Sequence, residues 1–125
     1  MEDQLVSYRI AKLAKDKGFK EWCDFAYRST DNEEQLMAKS TWRNGEIHDS
    51  HKGFCTAPTQ SLLQKWLREV KNYVVIVTYD HSNPEKPYSV NGGQTAPCII
   101  DIAEHDFNSY EDALEEGLLQ ALELV

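Results

Sequence analysis

Seven consecutive residues, Tyr73–Tyr79 (YVVIVTY), constrain the fold of this chain more than any other segment. All are β-branched or aromatic, types that suit a pleated sheet. Tyr73, Val75, Val77 and Tyr79 line one face, and Val74, Ile76 and Thr78 the other. Both faces are largely apolar, which predicts a central strand in a sheet covered on both sides.

Helical periodicity frames this strand. Val6, Ile10, Leu13 and Ala14 recur at helical spacing, so a first helix is expected from Asp3 or Ser7 to Lys17. Gly18 stops it, and Phe19 is the apolar residue that commonly follows a glycine cap. A second helix is expected to begin between Thr56 and Thr59, with Pro58 in its first turn, where a missing N–H is no loss. Its buried stripe is Leu62, Leu63, Trp66, Leu67 and Val70, while Gln64, Lys65, Arg68 and Glu69 face water. A third starts at Ser109, whose side chain can cap the helix with Asp112 three residues on. Its stripe is Ala113, Leu114, Gly117, Leu118, Ala121, Leu122 and Val125, and the small Gly117 and Ala121 predict close packing there.

The remaining elements are weaker. Residues 22–28 alternate, with Cys23, Phe25 and Tyr27 opposite Asp24 and Arg28, and read as a strand. Residues 29–35 form a polar turn, and 36–42 a second strand that closes a hairpin. Residues 43–54 read as a polar loop. Residues 81–96 read as another, holding Pro84, Pro87, Gly92 and Gly93 and at most a short edge strand over 86–90. Residues 97–103 form a further strand with Cys98, Ile100 and Ile102 on one face. The expected fold is α+β: an antiparallel or mixed sheet of about four strands with three helices, in the order α-β-β-α-β-β-α.

The length of 125 residues suits one domain spanning residues 1–125. The net charge of −8, from 21 acidic and 13 basic residues, disfavours nucleic acid as a partner, because phosphate binding rests on basic patches. Cys23, Cys55 and Cys98 are odd in number and far apart, which fits free thiols better than a disulfide framework. Residues 1–13 lack a cationic start followed by an apolar run, and no stretch approaches the ~18 apolar residues of a membrane span. A cytoplasmic protein without membrane contact is expected.

Several groups of residues have the chemistry of a site. His48, His51 and Cys55 share a loop, and imidazole and thiolate are zinc ligands. A structural site needs a fourth ligand, from His105, Cys98 or Cys23 for example, and the paired knuckles of such sites are missing. Cys55 also precedes the second helix, whose N-terminus would lower its pKa, with His48 or His51 as a base. Against this, Phe54 and Cys55 equally suit an apolar plug. Asp101, Glu104, His105 and Asp106 cluster at a strand end and could hold a cation or move protons, although carboxylates there are more often solvated. Asn91-Gly92-Gly93 lacks the Lys-Ser/Thr continuation of a phosphate loop and reads as a flexible turn. Trp22, Trp42, Trp66 and the six tyrosines could form a binding platform, but Trp66 sits on an apolar helical stripe and reads as core. None of these groups is assigned as a catalytic, cofactor or metal site.

The segment Ala57-Pro58-Thr59-Gln60, followed by Lys65-Trp66-Leu67-Arg68-Glu69-Val70, resembles a pattern in small uncharacterised phage and prophage proteins of Bacteroides-type bacteria. The likeness extends to the helix Ala11 to Phe19 and to the closing Ser109 to Leu114, and leaves the two long loops unmatched. It implies a phage-type accessory protein in a bacterial cytoplasm and carries no functional residue. The expected function is therefore non-enzymatic, exercised through protein–protein contacts as a homodimer. The dimer follows from a sheet face bearing Val74, Ile76 and Ile99 that three helices are stretched to cover. The alternative is a small metal-dependent or cysteine enzyme using the His48–Cys55 loop.

Overall fold

The computed structural model describes residues 4–29, 34–37, 39–45, 54–94 and 99–125, with the backbone alone at Ile99. It is α+β. Among the described residues, three helices accompany two three-stranded antiparallel sheets rather than one sheet of four. The chain divides into two compact units, Leu5–Thr59 and Gln60–Val125 together with the first four residues.

In Leu5–Thr59, helix α1 (Tyr8–Asp16) follows Ser7, whose hydroxyl accepts from the Ile10 N–H. At its other end Gly18 takes φ +97°, a left-handed conformation that glycine adopts freely. The Gly18 N–H then donates to Lys15 O and the Phe19 N–H to Ala14 O, closing the cap and turning the Phe19 ring into the core. The expected glycine stop is thus realised.

Strand β1 (Phe25–Ser29) is central, with β2 (Glu34–Leu36) on one side and β3 (Cys55–Ala57) on the other. The hairpin partner comes earlier than the expected 36–42. Tyr27 faces Leu36 but Cys23 faces Trp42, so the return limb spends two more residues than the outgoing one and cannot keep a regular ladder. Cys23 is buried, Phe25 and Tyr27 are half-buried, and Asp24 and Arg28, expected on the opposite face, are exposed, while the small Ala26 of that second face is fully buried. Strand β3 was expected to be loop and helix start. It is recruited by β1 through the pairs Phe25↔Ala57, Ala26↔Thr56 and Tyr27↔Cys55.

In Gln60–Val125, helix α2 (Gln60–Val70) leads through Asn72, at φ 56°, into β4 (Tyr73–Tyr79). Pro58 lies two residues before α2 rather than in its first turn. Gln60, Leu63, Trp66 and Leu67 are buried, while Val70, expected in the stripe, is exposed near the helix end. Strand β5 (Tyr88–Gln94) pairs with β4 along its whole length and with β6 (Ile99–Phe107) on its other side. Tyr73–Tyr79 is therefore a strand as expected but at the edge, and the centre belongs to a segment read as a loop.

Gly92 explains that exchange. A Cβ there would lie 3.0 Å from Ile102 Cδ1 and 3.2 Å from Tyr73 Cε1, so the missing side chain is the space those residues fill. The Tyr73 ring lies against the bare backbone, and its hydroxyl hydrogen-bonds to Asp101 Oδ2 at 3.3 Å on the far strand.

Helix α3 (Tyr110–Leu124) begins at Ser109, whose hydroxyl accepts from the Asp112 N–H. It packs on β4, β5 and β6. A Cβ at Gly117 would stand 2.5 Å from Val90 Cγ2 and 2.8 Å from Val75 Cγ1, the close approach expected of that position. Leu114, Leu118 and Leu122 are buried along the same stripe.

Candidate functional site

With α2 and α3 on the side of Tyr73, Val75, Val90 and Ile102, the other side of the sheet carries Val74, Ile76 and Thr78 from β4 and Ser89, Asn91 and Gly93 from β5. Its composition is decided by a bulge. Gly92 faces Ile102 but Gly93 faces Ile100, so β6 spends one extra residue, Asp101, at that point. A bulge of this kind breaks the alternation of side chains. Ile102 is buried under α3, whereas Ile100, two residues away and expected on the same face, is 72% exposed.

Two cross-strand rows result: Val74–Gly93–Ile100 and Ile76–Asn91–Ala103. Gly93 contributes no side chain between Val74 and Ile100. Ile76 is 52% exposed. Large aliphatic side chains on a strand face lose roughly 25 cal/mol per Å² by remaining in water. A pair of them in adjacent rows is a surface suited to another apolar surface.

The open edge of β4 is treated differently. Gln64 of α2 reaches over and donates from Nε2 to Val75 O at 2.6 Å. Edge strands offer unpaired backbone to other chains, and this bond occupies part of that offer. Gln60 performs a similar task between helices: its Nε2 donates to Glu111 O at 3.0 Å and to Glu115 Oε1 at 3.4 Å.

Of the residues singled out for chemistry, those that are described are separately engaged, buried or exposed. His48, His51 and Cys98 lie outside the described residues. Cys55 is 1% exposed within β3, and α2 begins only at Gln60, so Cys55 does not directly precede the helix as expected. Cys23 is also buried, donating to Glu21 O at 3.6 Å. Burial pushes its thiol up to about 11, with Asp24 and Glu21 adding to the rise. Thr56, whose buried hydroxyl lies close enough to pull that thiol partly back, makes no well-aligned hydrogen bond through its hydroxyl among the described residues.

The acidic run on β6 also separates. Asp101 accepts from the Tyr73 hydroxyl, Glu104 from Gln120 Nε2 at 3.5 Å, and Asp106, at φ 70°, from Asn83 Nδ2 at 3.3 Å. His105 is exposed. Among the described residues, no group of three or more His, Cys, Asp or Glu is arranged to hold a metal ion. Each tryptophan has its own surroundings. Trp66 is buried with Lys71 over its ring, Trp42 is half-buried against Phe54, and Trp22 is 52% exposed under Arg43.

The sequence pointed to an uncovered face with Val74 and Ile76, but it could not place Ile100 there, because period-two alternation puts Ile100 beside Ile102. The two glycines of β5 were the only signal. No helix among the described residues is long and apolar enough to cross a membrane. No family model, no curated protein and no solved structure matches the chain.

Proposed function

We propose that this chain acts without catalysis, through protein–protein contacts, and that it forms a homodimer by joining the open faces of two β4–β5–β6 sheets. The observation that carries the reading is the exposure of Ile76 and Ile100 in adjacent rows of one sheet face. Closed two-fold symmetry is the commonest way for a chain to cover such a face. The segment from Ala57 to Val70 supports a phage or prophage accessory protein of a bacterial cytoplasm, by its resemblance to such proteins. Nucleic acid and membrane lie outside the proposed partners, in keeping with the net charge of −8.

The test is mass in solution. Light scattering at micromolar concentration is expected to give twice the 14.4 kDa of one chain, and Ile76→Asp with Ile100→Asp to halve it while leaving the far-ultraviolet spectrum unchanged. A parent protein that already runs at the mass of one chain defeats the dimer.

A further inference from the structure

On the helix-bearing side, the sheet ends in a run of aromatic rings where β4 turns into β5. Tyr79 and Tyr88 are direct cross-strand partners, with ring centroids 5.2 Å apart at 76°. The His81 ring meets Tyr79 edge-on at 4.8 Å. Tyr110, the first residue of α3, meets Tyr88 edge-on at 6.4 Å. Tyr79 and Tyr110 are nevertheless 52% and 42% exposed. Edge-to-face contacts hold such rings against one another, so a ligand stacking on them orders little that is not already ordered.

The polar residues of this corner are strongly one-sided. Residues 79–88 and 106–112 contain Asp80, Glu85, Asp106, Glu111 and Asp112 against a single lysine, Lys86. Asp80 accepts from the Ser82 N–H at 2.9 Å and the Ser82 hydroxyl at 2.7 Å, which hold its carboxyl below the usual 3.8 and keep it charged. Asp106 is tied to the turn by Asn83. The bias continues through the unit. Its first four residues and Gln60–Val125 carry thirteen acidic and four basic side chains, a formal charge of −9, so this unit accounts for the acidity of the whole chain.

Exposed tyrosine faces attract cations, and neighbouring carboxylates deepen the attraction. Guanidinium satisfies both, because it is flat enough to stack on a ring and forks onto a carboxylate. An apolar segment would leave the carboxylates without counter-charge, and a phosphate backbone would be repelled. We propose that this corner docks a basic segment of a partner protein, seating an arginine on the Tyr79 and Tyr110 rings with Asp80 and Asp106 as counter-charge. This surface goes beyond the proposed dimer. It uses the opposite side of the sheet and a partner of different chemistry, and each can fail without the other.

Fluorescence anisotropy with the full chain tests it, using a labelled Arg-Gly repeat peptide, its Lys-Gly and Glu-Gly counterparts and a single-stranded oligonucleotide at about 0.15 M salt. The Arg-Gly peptide is expected to bind most tightly and the Glu-Gly peptide and oligonucleotide not at all. Tyr79→Ala and Tyr110→Ala should each weaken the Arg-Gly peptide about threefold, and together about tenfold. Tyr79→Phe, which keeps a ring, should bind like the parent. Should the alanine variants fail to fold, Tyr110→Lys at the exposed helix start carries the same test through repulsion. Absence of Arg-Gly binding overturns the proposal. So does binding that the ring variants leave unchanged, which would reveal only a diffuse negative field, and so does preference for the oligonucleotide. Light scattering on the same samples reads the dimer separately.

Discussion

The two units hold themselves together by different means. Gln60–Val125 is made of long elements, with strands of 7, 7 and 9 residues and helices of 11 and 15. Among its described residues, Leu5–Thr59 has strands of 5, 3 and 3 residues and one helix of 9. Short ladders leave more backbone to be satisfied by side chains, and single polar residues do that in the smaller elements. Asn44 is buried between Phe19 O, to which its Nδ2 donates at 2.8 Å, and the Thr56 N–H, which donates to its Oδ1 at 3.0 Å. Lys15 Nζ donates to Phe54 O and the Tyr27 hydroxyl to Val6 O, both at 2.7 Å. The longer elements rely on apolar burial and close backbone approach, as Trp66, Gly92 and Gly117 show. Charge separates the units as well, since Leu5–Thr59 holds eight acidic and nine basic residues against the excess acid of the other. The contrast is one of degree, since Gln60 and Gln64 also bond backbone carbonyls in the unit with the longer elements.

The sharpest attack on that contrast pairs one substitution from each unit. Trp66→Ala empties a buried site under α2 and should cost roughly 3–5 kcal/mol, the range for large aromatic truncations. Asn44→Ala leaves two buried backbone groups without their partner and should cost about 1–3 kcal/mol, a large effect for so small a side chain. Chemical denaturation of both variants measures the difference. An Asn44→Ala protein as stable as its parent would remove the polar half of the contrast.

Two glycines separate space from backbone. Gly117→Ala meets Val90 and Val75 and should destabilise by about 1–3 kcal/mol through overpacking, in spite of alanine's better helix propensity. Gly18→Ala meets nothing within 4 Å but must adopt φ +97°, and should cost about 1–2 kcal/mol. A second substitution tells the causes apart: Val90→Ala should rescue Gly117→Ala, and no neighbouring truncation should rescue Gly18→Ala.

Alkaline stability sharpens the comparison most gently, with one buried group in each unit. Burial raises the Cys23 thiol from 9.0 in the unfolded chain to about 11 in the folded one. Burial, aided by Asp101, raises Tyr73 from 10.0 to about 12. Between each pair of values the unfolded chain has shed a proton that the folded chain keeps, so raising the pH favours unfolding. Stability should fall from pH 9 upward through Cys23 and from pH 10 upward through Tyr73. Cys23→Ala should remove the first loss and Tyr73→Phe the second, read from denaturation midpoints across that range. In the native protein at neutral pH, iodoacetamide should leave Cys23 and Cys55 unmodified. Rapid labelling of either would contradict the sealed surroundings described for them.

What could be read from the sequence alone was whatever depends on neighbours a few residues apart. The Gly18 stop, the Ser109 cap, the stripe of α3 with its small Gly117 and the strand character of Tyr73–Tyr79 all follow from local periodicity and capping chemistry, and all are present. What the tertiary structure decided was every feature set by residues distant in the chain. Tyr73–Tyr79 became an edge because Tyr88–Gln94 took the centre, which Gly92 permits by leaving room for Tyr73 and Ile102. Cys55–Ala57 became a strand because β1, about 30 residues earlier, needed a partner. Ile100 faces water because one bulge at Asp101 reverses the alternation, and a one-residue slip moves a side chain to the opposite face of a sheet.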